Sequence, residues 1–505
     1  MSPLDITVLV VYLAFIGGLA FHFSRRQKSA EDYFLAGRNL PGWVVGFSLM
    51  GTVVSSATFV GHPGNVFFSD MWPFAYHLGL PVVVLLTIGR FVVFYRRTLR
   101  MSPYEYLGTR FGYPAQAYAS VSFILSRVLD MSLTVYFLGL ALAFVTGWDV
   151  WWVILVVGLL TVAYTLAGGI QGVVWTDFLQ GILLVGGGVL CCALILGRGD
   201  AGQIVTTAWE GGKFSLGNWE PSLVEDNFWL LFVGGVFHFL QAFGTDQNMV
   251  QRYLLARSDR EARRSAQVGI LSCIPIWLLF MFLGGLLWAF YQADPSALPP
   301  QVAEVKDNII PHFIMTELPP GLLGLLLAGL LAAAMSSMDS DLNSIAAVVL
   351  QNFYRRMRPG APQRRQLMVG RAGVVVGGLL SIFLAQQWIG IESLVKYSLG
   401  LALVVSGGKL GLFALGWLFP KATSRGAYTG LAACVLFTLW AALTRVEMPN
   451  SQSPLLDLGA YNFPWMPMTI GMIGHVLVLV VGYAASRGKD TAGSGAQADR
   501  LSAPG

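Results

Sequence analysis

The chain has 505 residues, 55% hydrophobic, 13% aromatic and 12% charged, with a mean hydropathy of +0.63. Water-soluble domains carry about 25% charged residues, so half that density, with the apolar residues gathered in long blocks, excludes a water-soluble enzyme and indicates a polytopic membrane protein. The net charge of +5 falls mainly in short loops between those blocks, an orientation pattern rather than a nucleic-acid footprint.

A helix crosses the hydrocarbon core with about 20 apolar residues, and thirteen blocks predict an all-α protein of thirteen transmembrane helices. In chain order they are 5–23, 43–66, 72–95, 116–146, 150–168, 173–197, 228–249, 266–292, 321–354, 370–386, 391–418, 425–444 and 464–486. Blocks 116–146 and 321–354 are long enough to tilt, bend or continue beyond the bilayer. With the N-terminus outside, the loops 24–42, 96–115, 250–265, 355–371 and 419–425 and the tail hold 24 of the 32 basic residues. The opposite loops hold Arg198, Lys213, Lys306 and Arg445, and the remaining four lie within spans. This asymmetry predicts N-out, C-in.

Residues 1–486 therefore read as one transmembrane domain and 487–505, rich in Ser, Gly, Ala and Asp, as a disordered cytoplasmic tail. The first apolar run begins at Ile6 without a basic region before it, so no cleavable signal is expected. Cys191, Cys192, Cys273 and Cys434 all sit in apolar stretches without metal-ligand spacing and read as packing residues.

Polar chemistry at mid-membrane depth discriminates among channels, carriers and membrane enzymes, because each unpaired polar group there is costly. Block 43–66 stacks small and hydroxyl residues from Gly51 to Thr58 and ends in Gly61-His62-Pro63-Gly64. Glycine frees the backbone and proline removes a donor, so this helix is expected to unwind and present carbonyl oxygens to a hard cation such as Na⁺; close helix packing by small residues is the competing account. In block 321–354, Ser336, Ser337, Ser340 and Ser344 fall within roughly 100° of one helical face. Asp341 lies at the edge of that stripe, whereas Asp339 points away. Such a stripe offers several oxygens to one ion; hydroxyls bonding their own i−4 carbonyls explain one or two of these residues but not the set.

Asp177 near the start of block 173–197 fits either a dipole partner or a ligand facing the serine stripe. Arg127, one turn before Asp130, either pairs with it or grips a substrate carboxylate. Lys396 and Lys409 fall within spans and snorkel or pair, and His62, His77 and His238 read as buried hydrogen-bonders. The sequence has no nucleophile–base pair and no His/Cys/carboxylate set at ligand spacing, so neither an enzyme nor a transition-metal site is expected.

Five segments carry a resemblance: EDYFLAGRNLPGW (31–43), SPYEYLGTRFG (102–112), GGIQGVVWTDFLQ (168–180), GTDQNMVQRYL (244–254) and AAAMSSMDSDLNS (332–344). In order and register across nearly the whole chain, they resemble the sodium:solute symporter family. The resemblance implies a leucine-transporter-like fold of two inverted five-helix repeats (about 43–197 and 228–418), with one helix before and two after. Binding sites would lie where the first helix of each repeat is broken, in the second repeat at Gly234-Gly235.

Matched residue by residue, the family's sodium site maps to the Gly51, Val54 and Ala333 carbonyls and the Ser336 and Ser337 hydroxyls. A second sodium site would use Asp177, Ser336 and Ser340, with Asp339 replacing a hydroxyl residue. The solute pocket would involve Ser55, Ser56, Thr58, Phe59, Tyr76, Gln241 and, for a carboxylate, Arg127. The implied function is Na⁺-coupled import of a small organic solute (a sugar, sugar acid or carboxylate) by alternating access in a bacterial inner membrane. No organic cofactor and no nucleic acid are involved, and a monomer suffices. A proton-coupled carrier using Asp177 or Asp339, or a solute sensor on the same scaffold, is the alternative.

Overall fold

A computed structural model describes residues 2–24, 27, 29–55, 57–303, 308–389, 407–445 and 453–487. Among the described residues the helices and turns carry the regular structure, and an isolated parallel bridge joins Leu40 and Ala256. Ten helices are long and apolar enough to cross a membrane, and one bent pair makes a further candidate. In chain order we name α1 (Pro3–Ser24), the bent pair α2 (Gly42–Val53) and α3 (His62–Phe68), α4 (Phe74–Thr98) and α5 (Tyr113–Thr146). They are followed by α6 (Val150–Gly197), α7 (Phe228–Thr245) with the short continuation α8 (Gln247–Leu255), α9 (Asp259–Ala293), α10 (Leu322–Met357) and α11 (Gln363–Gln387). The last three are α12 (Lys409–Leu418), α13 (Ser424–Arg445) and α14 (Pro467–Ser486).

The predicted blocks 150–168 and 173–197 form one 48-residue element, α6, divided at Gly169 (φ 52°, ψ −163°). An unbroken helix of that length would run to about 72 Å, more than twice the hydrocarbon thickness of about 30 Å. Only glycine fits the break: its φ lies in the left-handed region, and a Cβ there would meet the Tyr33 carbonyl oxygen at 3.0 Å. Block 391–418 is described only from residue 407, where it yields α12, and Lys396 and the tail beyond 487 lie outside the described residues.

By contacts the chain divides into two compact units, Met1–Ser102 with Arg127–Gly390, and Pro103–Ser126 with Ile391–Gly505. Every site residue proposed from the sequence belongs to the first. Its most enclosed membrane span is α10, whose apolar stretch is 83% buried inside the protein, against 22% for α1; the serine stripe thus runs along the centre of the unit. Asp5 of α1 ties the two together: its Oδ1 accepts the backbone N–H groups of Gly321 (2.7 Å) and Gly324 (2.9 Å) at the start of α10, where a carboxylate satisfies orphan donors and complements the helix dipole.

In the second unit, α13 and α14 pack closely; a Cβ on Gly430 would meet the Val478 carbonyl oxygen at 2.7 Å, the small-residue contact common between membrane helices.

Candidate ion and solute sites

The helix of block 43–66 is interrupted as its composition suggests. α2 ends at Val53, Val54 is extended (φ −90°, ψ 104°), and the axes on either side of the break differ by 61°. The second interruption is not where the sequence placed it. Gly234 and Gly235 lie inside α7, and the chain leaves helical geometry at Asp246 (φ −84°, ψ 136°) between α7 and α8. The glycine pair serves contact instead, since a Cβ on Gly235 would come within 2.0 Å of the Tyr76 carbonyl oxygen.

At the first break, Gly51, Val54, Ala333 and Ser336 line one small cavity together with Met50, Gln180, Gly181, Leu184 and Ile276. It has about 10 Å³ of free space, room for one water-sized particle. The Ser336 Oγ donates to the carbonyl oxygens of Gly51 and Ala333, both at 3.1 Å. The Ser337 hydroxyl reaches the Ala333 carbonyl at 3.5 Å but does not line the cavity. Gln180, missed in the sequence, does line it; its amide nitrogen donates to the Tyr12 hydroxyl at 3.3 Å, leaving a buried Oε1 without a hydrogen-bond partner among the described residues. The hint available earlier was its spacing: three residues after Asp177, it lies one helical turn away.

Two of the residues named for a second ion, Asp177 and Ser340, hold an arginine. Arg252, counted from sequence among cytoplasmic loop residues, is fully buried. Its Nη2 donates to Asp177 Oδ2 (3.1 Å) and to Ser340 Oγ, its Nε to Ser48 Oγ (2.8 Å) and its Nη1 to the Asn248 carbonyl (2.8 Å). Ser48 also donates to Asp177. The guanidinium thus supplies a positive charge between Asp177 and Ser340. Asp339 turns toward α6, where its Oδ2 accepts from the Tyr164 hydroxyl at 2.6 Å; its link to this group is the Ser340 hydroxyl, 3.3 Å from Oδ1. Two buried carboxylates without an assigned cation were the overlooked signal, because an uncompensated buried charge is strongly destabilising.

The solute candidates are spread over several elements. Ser56 lies outside the described residues; Ser55 is in the turn after α2 and Thr58 in the helical segment Ala57–Gly61 that leads into α3, its N–H donating to the Ser55 carbonyl (2.9 Å). Phe59 is buried against Phe280 (ring centroids 5.3 Å) and reads as packing. Gln241 accepts at its carbonyl from Thr245 (2.7 Å). Tyr76 stands among histidines, its ring 5.4 Å from His238. Arg127 is surrounded by carboxylates: Asp130 at 2.8 Å, Asp341 at 3.8 Å and Asp246 at 4.0 Å.

Comparison with known proteins decides the family. The sequence model of the sodium:solute symporter family matches residues 33–433. The chain belongs to this family. It is a sodium-coupled symporter, a secondary active transporter and not an enzyme, and it is an integral membrane protein. The symporter is 35% identical over 448 residues to the sodium/sialic acid symporter SiaT of Proteus mirabilis, covering 87% of this chain and 89% of that one. It is 29% identical over 465 residues to the human sodium-coupled monocarboxylate transporter 1, covering 90% and 74%. Its fold matches the substrate-bound outward-open structure of a Na⁺-coupled sialic acid symporter with a TM-score of 0.86 at 31% identity, over 96% of this symporter and 98% of that chain.

Proposed function

We propose that the coupling ion sits in the cavity between α2 and α10, held by the Gly51, Val54 and Ala333 carbonyls and the Ser336 hydroxyl, with Gln180 added to the oxygen shell and Ser337 beside it on the Ala333 carbonyl. The observation that carries this is the cavity itself, lined at once by four of the five residues matched to a sodium site. Neutral oxygens suit a hard cation and hold it weakly enough to let go in each cycle. The ion ties the broken helix to α10 and favours outward opening. Solute then binds, the protein closes, and loss of the ion to the cytoplasm loosens the two helices and releases the solute inward. At 100 mV each inward charge contributes about 2.3 kcal/mol, and a tenfold sodium gradient about 1.4 kcal/mol.

The finer architecture proposed is thirteen helices, N-out and C-in, with inverted repeats at about 43–197 and 228–418, in a bacterial inner membrane. The solute is a small carboxylate, a reading supported by the sialic acid and monocarboxylate carriers among the relatives. Asp177 and Ser340 hold Arg252 in place of a second sodium ion.

The test is thermal stability of the purified protein in Na⁺ against K⁺ or choline at equal ionic strength. A sodium-specific rise in melting temperature, abolished in Ser336→Ala/Ser337→Ala, is expected. A sodium response that survives the double substitution places the ion elsewhere.

A further inference from the structure

One polar cluster in the first unit is used by none of the above. His62 at the start of α3, His77 in α4 and His238 in α7 gather around Tyr76. The His62 and His77 rings are 5.1 Å apart, and Tyr76 lies 5.7 Å from His77 and 5.4 Å from His238. His77 also stacks on Trp277 at 3.9 Å. It is buried, and its Nδ1 has no hydrogen-bond partner among the described residues. Buried polar atoms are nearly always partnered, so an orphaned ring nitrogen here points to a ligand.

His238 is the exposed member of the cluster. Three residues of α7 are exposed: Trp229, Val233 and His238. At 100° per residue, Trp229 and Val233 lie about 40° apart, whereas His238 is roughly 140–180° away from both. Its nearest neighbours around the helix, Leu231 and Thr245, are buried. His238 is therefore exposed on the side of α7 opposite Trp229 and Val233, next to the Tyr76 ring.

Arg127 is a poor match for a carboxylate solute, because three carboxylates already stand within 4.0 Å of it. Imidazoles offer N–H donors, and the Trp277, Phe239 and Tyr76 rings beside them supply an apolar wall. We propose that the solute's carboxylate is held by His62, His77 and His238 and not by Arg127. This rests on the reading of the solute as a carboxylate.

The test uses the full-length protein and two measurements. In the first, sialic acid and lactate, with mannitol as uncharged control, are titrated in Na⁺ while melting temperature is followed. A carboxylate is expected to stabilise the unaltered protein, and His62→Asn and His77→Gln each to raise its half-saturating concentration at least tenfold with the sodium response intact. Arg127→Gln is expected to lower the melting temperature yet leave that concentration within threefold. The reverse pattern, affinity kept in the histidine variants and lost in Arg127→Gln, overturns the proposal. Stabilisation by mannitol and by neither carboxylate overturns the solute reading, and the proposal with it.

In the second, His238→Cys in proteoliposomes is treated with a water-soluble methanethiosulfonate, against the background of the four buried native cysteines. Labelling slowed by the stabilising carboxylate is expected. No labelling in either sodium or choline, or labelling that the carboxylate leaves unchanged, overturns the imidazole site while leaving the solute reading standing.

Discussion

The Arg252 guanidinium meets the Asp177 carboxylate at 3.1 Å with neither side chain exposed. Removing one partner of such a pair strands a buried charge, whereas removing both does not. Arg252→Met is therefore expected to cost about 3–5 kcal/mol, and Arg252→Met/Asp177→Asn to recover a large part of that loss. Chemical denaturation in detergent of the two single variants and the double variant checks the coupling; additive losses would mean that the charges act separately.

Gln180 tests the ion cavity without touching a hydroxyl or the broken helix. Its buried, unpartnered Oε1 is expected to contribute about one ligand's worth of affinity. Gln180→Ala should raise the sodium concentration for half-maximal stabilisation roughly tenfold, about 1.4 kcal/mol. Tyr12→Phe removes only the hydrogen bond that orients the amide and should give a smaller shift in the same titration.

Asp5 caps α10 from another helix. Asp5→Ala leaves two backbone donors unsatisfied and is expected to cost about 0.5–2 kcal/mol. The loss should appear in the melting temperature equally in sodium and in choline, since the cap is remote from the ion. A loss confined to sodium would contradict a purely capping role.

Lys213, in the loop before α7, donates to the Phe67 and Ser69 carbonyls at 2.9 and 2.8 Å and lies over the Trp288 ring. It thereby fastens the loop to the end of α3, where a cation also complements the helix dipole. Lys213→Met is expected to cost about 1.5–3 kcal/mol and to make the loop around residues 211–217 cleavable by added protease. Unchanged cleavage would show that the loop is held by other contacts.

Two glycines should respond oppositely to alanine. At Gly235 the new methyl would collide with the Tyr76 backbone, so Gly235→Ala is expected to lower expression and melting temperature sharply. Among the described residues no other part of the fold lies within 4 Å of the corresponding position at Gly186, and Gly186→Ala should gain up to about 1 kcal/mol from helix propensity. Parallel melts of both variants provide the comparison.

Much of the membrane architecture is written in block length and hydropathy, because spanning a bilayer imposes a length and an apolar composition that no loop meets. The break near Val54 was readable too, since small, hydroxyl and Gly-Pro residues coincide there. The second break was misread because glycines in a membrane helix also serve close contact, and Gly234-Gly235 do that while Asp246 carries the break. Arg252 was hidden for a different reason. Loop counting assigns a basic residue by its distance from an apolar block, and the short helix after the break carries this one back into the core. The grouping of Tyr76 with three histidines from three elements was also beyond reach, because it depends on how α3, α4 and α7 meet.

The Ser336 hydroxyl has a single hydrogen, and it is directed at the Gly51 and Ala333 carbonyls, two of the oxygens proposed to face sodium. An incoming cation needs those lone pairs, so it must turn that hydrogen aside before it can settle. When the ion leaves, the hydrogen can swing back and join the same two helices. A symporter must complete a return stroke without cargo, and at the proposed site a side-chain hydrogen would stand in for the departed cation, one weak link between the broken helix and α10 while the protein resets.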